Sequence, residues 1–170
     1  MAHPLYTGSV PVFRKMLTAL DAILTRTEHH IEEKKLEPEA FLQARLFPDM
    51  FTFVRQVQIA CDFAKSVPAR LSGAEVPSYE DNERTFADLH ARIRKTLELT
   101  AGIDEAKFAG AENREIVLRP GTPRERRFAG GEAYLFAYGI PQFFFHVATA
   151  YALLRHNGVG IGKKDYMGAY

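Results

Sequence analysis

Between Tyr6 and Ile31 the side chains Tyr6, Val10, Phe13, Leu17, Leu20, Leu24, Thr27 and Ile31 follow one another at alternating spacings of four and three. A helical period places these seven apolar groups and one threonine on a single stripe. Such a stripe must be covered by other helices, so the segment predicts a bundle. Pro4 and the Gly8–Pro11 stretch make the entry irregular, and the regular part begins near Val10.

The rest of the chain supplies the partners. Glu37-Pro38-Glu39 opens a short helix through Leu46, and Phe47-Pro48-Asp49 interrupts the chain again. A second long helix follows from Asp49, with Met50, Val54, Val57, Cys61 and Ala64 as its stripe and Gly73 at its end. Pro68 should kink or tighten its last turn. A third helix is predicted from Asp81 to Thr100. Phe86, Leu89, Ile93 and Leu97 would face inward, and Arg84, Arg92, Arg94 and Lys95 would face water. Ile116 and Leu118, then Pro120-Gly121, then Arg126 and Phe128 read as a two-stranded hairpin. Gly130-Gly131 ends the hairpin and starts a fourth long helix, apolar on nearly every side from Tyr134 to Leu154 and bent at Pro141. A helix apolar all round is central or shared with a second subunit, and in a chain of 170 residues a homodimer is the economical explanation. The glycine-rich tail after Asn157 is expected to lie irregularly on the surface. With no repeat or linker, residues 1–170 form one domain, an all-α four-helix bundle with a short β-hairpin insert before the fourth helix.

Charge excludes some functions. Lys+Arg number 22 against 21 Asp+Glu, so a basic field for nucleic acid is not expected. One cysteine, Cys61, excludes an intramolecular disulfide and reads as a small core residue. The N-terminal segment lacks a signal-peptide pattern, and Gln142, Arg155 and His156 interrupt the most apolar window. The expectation is a soluble, cytoplasmic protein with no membrane partner.

Phosphate loops, nucleophile elbows, cysteine pairs and HExxH are absent from the sequence. His29 and His30 suit a helix C-terminus, His156 a helix end, and His90 a charged surface. His146 is different, because it lies in mid-helix among apolar residues. It shares a face with Leu135, Gln142, Thr149, Ala150 and Leu153, so Gln142 and His146 should point into the bundle and need polar partners there. Candidates are Tyr6 on the first helix and Asp49, Gln56, Gln58 and Asp62 on the second. Asp49 and Gln56 lie on one flank of that helix's stripe, Gln58 and Asp62 on the other; the spacing leaves open which pair meets His146. The cluster reads either as a satisfied core histidine or as a ligand or metal pocket.

The segments PDMFTFVRQVQIACDFAK and FFFHVATAYALLRHNG, with the helix order and the insert, resemble an uncharacterised bacterial family of the DinB/YfiT-like superfamily of four-helix metalloenzymes. The resemblance spans essentially the whole chain. It implies a divalent metal, such as zinc, nickel or manganese, held by one histidine of the second helix and an HxxxH pair of the fourth. It also implies thiol-transferase or isomerase activity in some members. Counted from the helix ends, those ligand positions fall near Gln58, Gln142 and His146, and only the last is a histidine. Amides are poor ligands for zinc or nickel, so a degenerate metal site is expected unless Asp49 or Asp62 joins it. Three functions follow as expectations. One is a small-molecule-binding bundle with a polar pocket around His146. Another is a metal-dependent transferase or hydrolase. The last is a purely structural dimer.

Overall fold

A turn at Gly8 and Ser9 divides the first apolar stripe. In the computed structural model, which describes residues 2–169, Pro4 opens a one-turn helix, α1 (Pro4–Thr7), and Pro11 stands in the first turn of α2 (Val10–Lys34). Proline fits a first helical turn, where its missing N–H would have no partner. Val10, Phe13, Leu17, Leu20, Leu24, Thr27 and Ile31 are buried along α2, whereas Tyr6 stays in α1 and is half-buried.

The short α3 (Pro38–Leu42) ends before Leu46, and Pro48 and Asp49 lie in an exposed turn. The next helix, α4 (Phe53–Ser72), begins later than Asp49 because Thr52 caps it, its Oγ accepting from the Arg55 N–H at 3.4 Å. Gly73 ends it in the left-handed conformation (φ 73°). Val54, Val57, Cys61 and Ala64 are buried, and Met50 falls outside the helix.

The third bundle helix, α5 (Phe86–Ala101), also starts later than Asp81. Thr85 and Asp88 form a reciprocal capping box that fixes the start, and residues 74–84 run as an extended strap instead. Two one-turn 3-10 segments lead to β1 (Ile116–Leu118), which pairs antiparallel with β2 (Arg126–Phe128), Ile116 opposite Phe128.

The fourth helix is built in pieces: α6 (Gly131–Tyr134), a π-helical turn over Leu135–Gly139, and α7 (Ile140–His156). Pro141 has no N–H to give to the preceding turn, and the wider π turn just before it absorbs that lost hydrogen bond. The tail forms a short helix, α8 (Lys163–Met167), and does not run irregularly. It packs on α2 through an Arg26–Asp165 ion pair at 3.4 Å and sets Tyr166 edge-on to Tyr151 of α7.

α2, α4, α5 and α7 form the bundle, and α4 packs against each of the other three. Phe13, Phe53, Phe143, Leu17, Leu20 and Leu89 are fully enclosed in one core. No helix among the described residues is long and apolar enough to cross a membrane.

Candidate functional site

α7 turns His146 toward α4, where its Nδ1 lies 2.7 Å from Gln56 Oε1. The Gln56 amide is oriented by its own Nε2, which donates to the Phe51 carbonyl at 3.4 Å. An oxygen can only accept, so Nδ1 carries the proton and Nε2 keeps a bare lone pair. Burial, and then the nearby Arg55 guanidinium, lower the His146 pKa to about 4, so the ring is neutral at physiological pH. Nε2 has no protein partner, and it is not enclosed: the one buried unpartnered side-chain nitrogen or oxygen among the described residues is Arg92 Nε. The ring is steadied by Phe63, stacked 6.2 Å away at 15°, and by Phe145, edge-on at 5.2 Å.

The expected neighbours are distributed differently. Of the two flanks of α4, the one bearing Gln56 meets His146. Asp49 is exposed in the turn before α4 and cannot act as a residue of that helix, because Thr52 sets the helix start three residues later. Gln58 faces the strap, its Nε2 donating to Glu83 at 2.7 Å and its Oε1 accepting from Arg55 at 3.1 Å. Asp62 is held by Arg92 at 2.9 Å and Lys65 at 2.8 Å. Tyr6 packs edge-on against Phe108, 5.4 Å away, because α1 is separated from the long helix. Thr149 is buried, but its hydroxyl donates to the Phe145 carbonyl at 2.7 Å. Gln142 is half-buried one turn before His146, and its side chain makes no hydrogen bond to any described residue.

Beside this site lies a charged network that periodicity did not reveal. Arg92, expected at the surface, is 3% exposed. It binds Asp62, Asp81 (3.0 Å), Glu83 (2.9 Å) and the Glu80 carbonyl (3.0 Å), tying the strap to α4 and α5. Arg55 also pairs with Asp81. Tyr79 lies under Lys65 and Lys95, with ammonium-to-ring distances of 3.8 and 4.2 Å. Cys61 is enclosed below, and burial pushes its thiol up to about 12, which leaves it inert as a nucleophile. The available signal was the acidic run Glu80, Asp81, Glu83 ahead of an arginine flanked by Leu89, Ile93 and Thr96. His90, also expected at the surface, bridges Asp21 (2.6 Å) and Glu28 (3.0 Å) of α2.

The donors around His146 do not suit a transition metal. Gln58 is engaged elsewhere, Gln142 offers only an amide, and the Arg55 guanidinium opposes a second cation. Among the described residues no group of three or more His, Cys, Asp or Glu side chains could hold a metal ion.

Fold and site together define an all-α, DinB-like bundle with a small hairpin insert. Residues 5–167 match DUF1993, a domain of unknown function, and the chain belongs to that family. It is also similar to a DinB family member protein from Shewanella denitrificans known from a crystal structure. The two are 42% identical with a TM-score of 0.90, over 98% of this chain and 93% of the other. No curated protein matches the chain.

Proposed function

We propose that this is a small-molecule-binding DinB-like protein that works at His146 without a tightly held transition metal. The observation supporting it is the fixed tautomer: Gln56 Oε1 accepts the hydrogen bond from Nδ1–H, and Nε2 is left unpaired. A ligand with an N–H or O–H would donate to Nε2, while its apolar part would meet Phe145, which is 55% exposed. The bare Nε2 accepts a hydrogen bond, but with its pKa lowered to about 4 it is a weak base at physiological pH, which favours binding over proton abstraction. Its cytoplasmic setting is part of the same reading, supported by a single buried thiol.

The test is elemental analysis of untagged protein together with nitrogen NMR of His146 during a screen of small hydrogen-bond donors. A donor that shifts Nε2, with the response lost in His146→Ala, supports the reading. Stoichiometric zinc, nickel or manganese that disappears in His146→Ala would sink it.

We also propose that the protein is a homodimer joined through α7. No charged residue occurs between Glu132 and Arg155, and Phe145 of α7 and Phe136 of the π-helical turn before it stand more than half exposed. Sedimentation giving a monomer at micromolar concentration would dismiss the dimer and leave the site reading intact.

A further inference from the structure

A recess lies where the C-terminal half of α2 meets α3 and the start of α5, on elements other than those that bear His146. It has a volume of about 560 Å³ and walls that are mainly apolar, with Ile31, Leu42 and Phe86 contributing one side chain from each helix. All three belong to the buried core, so the fold itself shapes this floor. The volume falls in the range of roughly 300–1,000 Å³ usual for small-molecule sites.

The rim is predominantly acidic. Glu28, Glu32, Glu37 and Glu39 line it, against a single basic side chain, Arg84. Glu28 is already engaged by His90. Glu32, Glu37 and Glu39 have no ion-pair or hydrogen-bond partner for their carboxylates among the described residues, and neither does the Arg84 guanidinium. Glutamates placed around one recess give it a negative field that disfavours an anion. A cation is drawn to that field, and an apolar body attached to it displaces water from the floor.

We propose that this recess binds an organic cation, an ammonium group carried on an alkyl or aryl body. The apolar part sits on Ile31, Leu42 and Phe86, and the ammonium stays at the rim among Glu32, Glu37 and Glu39. A neutral analogue gains only the floor, and a carboxylate analogue meets the glutamates' like charge, offset in part by Arg84.

The experiment is an amide NMR titration of the full chain with hexylammonium, hexanol and hexanoate at low salt. Hexylammonium should shift the amides of Ile31, Leu42 and Phe86, and bind about tenfold more tightly than hexanol, the gain expected from three partly screened charges. Hexanoate should bind more weakly than hexanol. The triple variant Glu32→Gln/Glu37→Gln/Glu39→Gln alters exposed, unpaired side chains, so its spectrum should otherwise persist while hexylammonium falls to the level of hexanol. Equal binding of the amine and the alcohol overturns the proposal. So do shifts that map elsewhere, unchanged affinity in the triple variant, or no binding of hexylammonium at millimolar concentration.

Discussion

Gln56 and His146 are ninety positions apart in the chain and 2.7 Å apart in space, joined through Gln56 Oε1 and His146 Nδ1. Through this one contact, α4 decides which nitrogen of a histidine on α7 carries its proton. The Phe51 carbonyl anchors the far end of the amide, so the backbone just before α4 is part of the arrangement. The protonation of Nε2 is therefore set by residues that do not touch that atom.

Replacing Gln56 with Leu removes the acceptor and leaves a buried donor on His146 unsatisfied. The expected cost is about 1–3 kcal/mol, read from the shift in urea midpoint at unchanged slope. Nitrogen NMR should show the Nδ1–H tautomer dominant in the parent protein and a mixture in Gln56→Leu. An Nε2–H tautomer in the parent would mean that Gln56 does not control the ring.

Two histidines should give stability opposite pH dependences. His146 has its pKa lowered to about 4 from an ordinary 6.5, by burial and then by Arg55. Between those values the unfolded chain takes up a proton that the folded chain refuses. Stability therefore rises with pH from about 4 to 6.5, by an amount on the order of 3 kcal/mol. For His90, burial pulls the pKa down, but the hydrogen bonds that the ring donates to the Asp21 and Glu28 carboxylates outweigh it and the pKa ends above 6.5. Its contribution is complete below pH 6.5 and is lost as pH climbs through the raised value. Urea midpoints across pH 4 to 9 should show His146→Phe flattening the lower limb and His90→Gln flattening the upper one. An upper limb unchanged in His90→Gln would remove the clamp between α2 and α5 from the account.

The bundle could be read from the chain because burial along α2, α4 and α5 follows helical spacing closely. Helix starts were misplaced where a cap overrides apolar pattern. Thr52 and Thr85 with Asp88 fix the starts of α4 and α5, while Asp49 and Asp81 merely precede them. The site was half legible. Facing direction on α7 isolates His146, but a partner on α4 depends on the rotation of one helix against another, which sequence spacing does not encode. Arg92 escaped because an arginine beside an apolar stripe normally extends into water. Here the strap brings Asp81 and Glu83 over it, and that contact is set by tertiary structure alone.

Arg92→Met should expose how much the strap depends on that contact. The change leaves Glu83, whose side chain is 9% exposed, without its cation, and removes the link between Asp62 and Asp81. Breaking a buried ion pair from one side costs about 3–5 kcal/mol, and partial exposure of Asp62 and Asp81 places this case at the lower end. Chymotryptic cleavage after Tyr79 and tryptic cleavage after Arg84 should accelerate before the bundle itself unfolds. Cleavage rates that rise only in step with global unfolding would show that the strap is held by something else.

The metal question can be reversed by adding the missing ligand. Gln142 precedes His146 by one helical turn, is half-buried, and has no hydrogen-bond partner to lose. Gln142→His therefore places two imidazoles at positions i and i+4 of α7, the spacing at which neighbouring rings share one ion. Arg55 still opposes a divalent cation there, held in place by Asp81 and Gln58. Gln142→His should accordingly bind zinc more tightly than the parent in a calorimetric titration, and Arg55→Ser in that background should tighten it again. The second step separates electrostatics from ligand number. If Arg55→Ser leaves zinc affinity unchanged, the guanidinium does not disfavour a metal at His146, and the parent's poor donor set must rest on the two glutamines alone.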